Sequence, residues 1–229
     1  MSKGSLEYVC QSCGAVFRQW QGKCADCGEW NALVESVQAM ASKKSVGRTA
    51  WVVNEPTVIK KLAEIPFTQE VRVSSGFAEL NRVLGGGFVP GSVILIGGSP
   101  GAGKSTLLLQ VLATLADKMT CLYVTGEESL QQIAMRADRL GFAKQPLHLI
   151  AQTRVEAILQ AADSLKPQLM VVDSIQTVFT DDVSSAPGSV SQVRESAAHF
   201  TRFAKITGTI VILVGHITKD GALAGPKVL

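Results

Sequence analysis

Short apolar runs of strand length recur along the second part of the chain: Val93–Gly97, Cys121–Thr125, Leu147–Ala151, Leu169–Asp173 and Thr209–Val214. Between them lie longer segments that predict helices. One runs from Lys104 to about Asp117 and one from Leu130 to Leu140. A third opens at Thr153-Arg154-Val155-Glu156 and closes at Lys166-Pro167, and a fourth runs from Ser189-Val190-Ser191-Gln192 to Thr207-Gly208. Both opening tetrads fit a capping box. Ahead of these, Val73 to Phe77 opens a short helix with Phe77, Leu80, Val83 and Leu84 on its apolar face, stopped by Gly85-Gly86-Gly87. The alternation predicts an α/β domain. Ile175 to Gly188 reads as a long loop, a class that is usually functional or mobile.

Upstream the pattern changes. From about Ser36 to Ile65 no period persists, and Ser42-Lys43-Lys44-Ser45 and Lys60-Lys61 are polar and basic. The stretch reads as a linker with one short strand near Trp51-Val52-Val53. Its lysines are solvated, or else form an arm that contacts DNA. The organisation is therefore a small N-terminal unit (1–35), a linker (36–65) and the α/β domain (66–229).

The first predicted strand runs straight into Gly98-Ser99-Pro100-Gly101-Ala102-Gly103-Lys104-Ser105, which fits the phosphate-loop pattern G-x-x-x-x-G-K-[ST] in full. Glycines let the backbone curl so that successive N–H groups face phosphate oxygens, and the next helix turns its positive end to the same anion. Lys104 supplies a mobile charge for the β- and γ-phosphates. Ser105 can join the Mg²⁺ shell, and Thr106 is placed for the α-phosphate. The site so read comprises Gly98, Ser99, Pro100, Gly101, Ala102, Gly103, Lys104, Ser105 and Thr106.

Acidic residues follow two of the other strands, at the edge where α/β sheets bind ligands. After Thr125 come Glu127 and Glu128. Glu127 reads as the base that activates a water, and Glu128 as a helix N-terminal charge. Asp173 ends an apolar strand in the Walker B manner, and would accept from the magnesium shell or from Ser105. Ser174 is placed to help read the γ-phosphate. His216, just past the fifth strand, is the candidate γ-phosphate sensor. His148 and His199 read as structural, and Cys121 as a small core residue. Arg194 faces a subunit boundary or solvent. Lys219 and Lys227, in the glycine-rich tail, are candidate contacts to DNA phosphates.

The N-terminal unit carries Cys10-Gln11-Ser12-Cys13-Gly14 and Cys24-Ala25-Asp26-Cys27-Gly28. Cys10, Cys13, Cys24 and Cys27 at this spacing can close a tetrahedron around Zn²⁺. The alternatives are two disulfides or a redox pair. Tyr8, Phe17, Trp20 and Trp30 interleave with the knuckles and are expected to form a miniature core. Lys3, Arg18 and Lys23 are too few for a basic face. Composition narrows the rest: with 46% hydrophobic residues and a net charge of +3, the chain suits one α/β domain plus a small unit, and carries no global field for nucleic acid. No apolar run approaches ~18 residues, so no membrane span is expected. The first residues lack a signal-peptide core. The paired cysteines suit metal in a reducing cytosol.

Taken together, these motifs resemble the RadA (Sms) family of bacterial DNA-repair proteins, within the RecA-like ATPase superfamily. The resemblance rests on Trp20-Gln21-Gly22-Lys23-Cys24 with the four cysteines, Leu84 to Gly87, Gly97 to Gln110, Tyr123 to Ser129, Val172-Asp173-Ser174, Pro187 to Val190 and Val214 to Gly221. It implies a parallel sheet in the order 5-1-4-3-2 with flanking helices, preceded by a four-cysteine zinc finger. It implies a cytoplasmic DNA-dependent ATPase of recombinational repair that uses ATP/ADP, Mg²⁺ and Zn²⁺. Such an enzyme moves on single-stranded DNA, promotes branch migration, acts beside the recombinase RecA and forms a homo-hexamer. Family roles fall on Glu127 as catalytic glutamate, and on His216 as the residue coupling nucleotide to DNA. The loops 176–188 and 216–229 are those expected to face DNA. The family continues into a Lys-Asn-Arg-Phe-Gly motif and a Lon-protease-like domain; neither is in these 229 residues, so the chain reads as ending inside a loop. The other reading is an ATP-switched binding module with little turnover.

Overall fold

The computed structural model describes residues 6–10, 15–37, 60–64 and 71–216. Cys13, the strand expected near Trp51, Lys219 and Lys227 lie outside the described residues.

The N-terminal unit is a three-stranded antiparallel sheet of β1 (Leu6–Cys10), β2 (Val16–Phe17) and β3 (Leu33–Val37), in the order β2-β1-β3. Register pairs Cys10 with Leu33 and Tyr8 with Phe17, which brings the first cysteine against the end of the third strand. Among the described residues Cys10, Cys24 and Leu33 are buried in it, with Tyr8, Ala15, Phe17 and Ala32 packed around them. The two tryptophans depart from expectation. Trp20 and Trp30 are 55% and 68% exposed, and the Lys23 ammonium sits 5.6 Å from the Trp30 ring centroid. A sheet this small has one inner face, and the thiols and Leu33 already fill it.

The α/β unit begins with α1 (Ala78–Val83), followed by β4 (Val93–Gly98), α2 (Lys104–Leu115), β5 (Cys121–Thr125), α3 (Leu130–Arg139), β6 (His148–Ala151), α4 (Val155–Leu165), β7 (Leu169–Asp173), α5 (Val190–Thr207) and β8 (Ile210–His216). The five strands β4 to β8 form one parallel sheet. β5 and β7 are buried at every position, as central strands covered on both faces must be. One face packs on α2 through Leu108 and Leu112, with Phe88 from the segment before β4 in the same cluster. The other packs on α4 and α5 through Ile158, Val193, Phe200 and Phe203.

The strand order is β4-β8-β7-β5-β6. Counting the five strands along the chain, that is 1-5-4-2-3, not the expected 5-1-4-3-2. The difference comes from β6, which pairs with the outer side of β5 and forms an edge. Its residues are only partly covered, and His148 is exposed on it. Without β6 the remaining strands read 1-4-3-2, the last four positions of the expected order.

Local details also differ. Val83 is 69% exposed, because the six-residue α1 turns Phe77, Leu80 and Leu84 to the core instead. The Thr153–Glu156 capping box does not form: α4 has Arg154 at its N-cap with no side-chain cap, and Gln152 Oε1 accepts from the backbone of Thr153 and Arg154. Glu156 is taken by the Thr180 hydroxyl and the Asp181 N–H. Ser189 does cap α5 through Gln192 N, but the Gln192 side chain, 2% exposed, turns into the preceding loop. There its amide donates to the carbonyls of Thr180, Val183 and Ser185 and accepts from Thr180 N. That amide gives the 175–188 loop a fixed course. His199 adds a second anchor, at 3.2 Å from Asp182 and 4.0 Å from Glu195.

Candidate nucleotide site and metal centre

Parallel strands bring their C-terminal ends to one edge, and the predicted site residues collect there. Gly98 at the end of β4 is in register with His216 at the end of β8, and Thr125 at the end of β5 with Asp173 at the end of β7. His216 is thus the last residue of its strand rather than a residue beyond it.

The phosphate loop joins β4 to α2. Gly103, the N-cap of α2, has φ 86° and no side-chain cap, so the first-turn N–H groups are left for another acceptor. A left-handed residue here is what glycine provides. The Lys104 ammonium folds back onto the carbonyl oxygens of Gly98 at 2.7 Å and Ser99 at 2.9 Å. Positive charge, free N–H groups and the helix end together suit a phosphate.

Opposite the loop, Glu127 is the centre of a small network. Its Oε1 accepts from the Ser174 hydroxyl at 2.7 Å and from His216 Nε2 at 3.0 Å. A carboxylate only accepts, so the histidine proton toward it sits on Nε2; Nδ1 is buried and without a partner among the described residues. Partial burial raises the Glu127 carboxyl, but the bonds from Ser174 and His216 and the charges of His216 and Lys104 outweigh it. The group ends below its ordinary range. It therefore stays an anion at neutral pH. Gly126 lets the turn close: a Cβ there would overlap the Thr177 hydroxyl, which itself donates to the Ser174 carbonyl.

Three contributors escaped the sequence reading. Tyr123, in the all-buried β5, donates its hydroxyl to Asp173 Oδ2 at 2.5 Å. Arg136, a turn and a half along α3, holds both oxygens of Glu128, so Glu128 is an ion-pair partner rather than a free charge at the helix start. Ser129 and Gln132 supply the capping box of α3. Only this last was legible beforehand, in the S-x-x-Q spacing. The Tyr123 and Arg136 contacts needed the register of neighbouring strands and the docking of α3.

In the N-terminal unit, ligand sulfurs of Cys10, Cys24 and Cys27 lie within 4.8 Å of one another. Cys10 and Cys27 are 3.7 Å apart. That is too far for their own S–S bond, and matches the edge of a tetrahedron with bonds of about 2.3 Å, roughly 3.8 Å. The thiols therefore fit Zn²⁺ by spacing and donor type.

Comparison with known proteins agrees on both units. Residues 60–222 match the AAA domain family. That covers well over half of the chain. The chain belongs to this AAA family. Residues 8–35 match the rubredoxin metal binding domain. Among curated relatives, DNA repair protein RadA of Haemophilus influenzae is 56% identical over 223 residues, covering 97% of this chain and 49% of that protein. RadA of Pseudomonas aeruginosa is 53% identical over 229 residues, 100% of this chain and 50% of that protein. RadA of Escherichia coli is 52% identical over 227 residues, 97% of this chain and 49% of that protein. The chain spans about half the length of the curated relatives it matches. An AAA-family member of this kind carries a RecA-like α/β core behind a zinc ribbon. No described helix is long and apolar enough to cross a membrane.

Proposed function

We propose that this chain is the zinc-ribbon and motor portion of a DNA-repair ATPase. In that reading it hydrolyses ATP in response to single-stranded or branched DNA and drives translocation and branch migration beside RecA, as a homo-hexamer. The observation that carries it is the convergence of Lys104, Glu127, Ser174 and His216 at the end of one parallel sheet. The kinship to DNA repair proteins supports the choice of DNA over other effectors.

The chemistry follows from placement. Gly98 to Thr106 cradle the phosphates, and Lys104 exchanges its loop carbonyls for β- and γ-phosphate oxygens. Ser105 and Asp173 would hold Mg²⁺, which would neutralise charge on the phosphates. Glu127 Oε1 takes a proton from the attacking water, and the in-line displacement releases phosphate. Ser174 and His216 compete with that water for the same oxygen. A γ-phosphate able to draw His216 away frees Glu127 and moves the end of β8, which links nucleotide state to that edge of the sheet.

The test is ATP turnover with and without single-stranded DNA, on this chain and on one extended to the length of its relatives. Glu127→Gln is expected to lower turnover about 10²- to 10⁴-fold while nucleotide still binds, and Lys104→Ala to lose binding itself. DNA-stimulated turnover in the extended chain supports the motor. Nucleotide binding with no DNA-stimulated turnover in either chain replaces it with an ATP-switched binding module.

A further inference from the structure

One buried hydroxyl stands outside the mechanism just given. β5 reads Cys-Leu-Tyr-Val-Thr, and Tyr123 at its centre is 1% exposed among apolar side chains. A phenylalanine would fill nearly the same space with no polar atom to satisfy. Burying a hydroxyl is costly unless it is hydrogen-bonded. Here the bond goes to the Walker-type carboxylate and to one particular oxygen of it, Asp173 Oδ2, across the neighbouring strand. Register explains the reach. Tyr123 pairs with Val171, and Thr125 with Asp173, so Tyr123 and Asp173 are diagonal neighbours on one sheet face.

The surroundings keep this a one-way donor. A carboxylate only accepts, so the tyrosine hydroxyl is the donor of this bond. Arg136, held by Glu128, interacts electrostatically with both Tyr123 and Asp173 from α3. Asp173 itself is 6% exposed and lies at the ligand edge of the sheet.

We propose that Tyr123 is a positioning residue that sets the Mg²⁺ affinity of the nucleotide site by holding Asp173 Oδ2 and leaving Oδ1 for the metal shell. The inference rests on the nucleotide-site reading above. An ion held by a fixed carboxylate loses little on binding; one held by a carboxylate free to rotate must first order it. Partners of this second rank typically change metal affinity or activity by 10- to 100-fold when removed.

The experiment titrates Mg²⁺ into the full chain with a fluorescent ATP analogue, in wild type and Tyr123→Phe. The Mg²⁺ midpoint is expected to rise roughly tenfold in the variant, with nucleotide affinity in EDTA unchanged. A general loss of structure would weaken both. A midpoint unmoved in a folded Tyr123→Phe overturns the proposal. Wild type that fails to bind nucleotide at all overturns the nucleotide-site reading, and this inference with it. A second measurement needs no substitution. The chain has two tyrosines, Tyr8 and Tyr123, so 3-fluorotyrosine labelling gives two ¹⁹F signals. Adding Mg²⁺ to the nucleotide-bound chain is expected to shift the buried one and leave the Tyr8 signal in place. A buried signal indifferent to Mg²⁺ also overturns the proposal.

Discussion

In the ribbon of the N-terminal unit, the buried residues among those described are Cys10, Cys24 and Leu33, and two of these three are thiols. In the α/β unit, both faces of one sheet are covered by large apolar clusters that contain Phe88, Leu112, Phe200 and Phe203. The ribbon leaves Trp20, Trp30 and Val34 open to solvent, whereas the sheet buries β5 and β7 at every position. The two units thus solve the same entropy problem differently. A unit of ribbon size removes too little apolar surface from water to fold by burial, so the free energy of metal binding must stand in for a core. The sheet needs no ion, because its folding is driven by the area its helices cover. Cysteine behaves accordingly in each. Cys10 and Cys27 converge on one another, while Cys121 sits 0% exposed in the sheet with its thiol pushed up to about 12 by burial.

The largest expected effect would break this contrast outright. Stripping zinc with a strong chelator should unfold the ribbon completely, since structural zinc contributes about 10–16 kcal/mol in such peptides. Nucleotide binding by the α/β unit should survive. Metal analysis beside heteronuclear NMR reads both halves at once; ribbon signals that persist without metal would refute the division. Next in size, Phe200→Ala should lower the stability of the sheet unit by roughly 3–5 kcal/mol, measured by urea denaturation, with zinc content unchanged. A loss below about 1 kcal/mol would mean that the α5 face of the sheet is not its main support. Smallest, Trp30→Ala in the ribbon should cost no more than about 0.5 kcal/mol, because the ring is already 68% exposed. A large loss in metal retention there would show that the ribbon relies on aromatic packing after all.

Legibility in the sequence divided along a related line. Phosphate-loop chemistry is local: eight contiguous residues specify a turn and a helix start, and the loop lies where the pattern puts it. The same holds for β5 and β7, whose ends agree with the reading to the residue. Ser189–Gln192 looked equally local, yet its glutamine serves the 180–185 loop instead, and Thr153–Glu156 made no box at all. Capping residues are polar and long enough to be recruited by another segment once the chain has collapsed. Spacing alone cannot rank a partner three residues away against one brought in by tertiary packing.

Sequence by itself therefore determined the α/β class, the phosphate loop, the cysteine knuckles and the identity of Glu127, Asp173 and His216 as candidates. Each of these follows from short-range periodicity or from a motif whose residues are neighbours in the chain. Tertiary structure alone decided that β6 forms the edge, that Glu127 is shared by Ser174 and His216, that Glu128 belongs to Arg136 and that Tyr123 holds Asp173. Those contacts join residues up to 89 positions apart. Their energies depend on strand order and register, which no local pattern encodes.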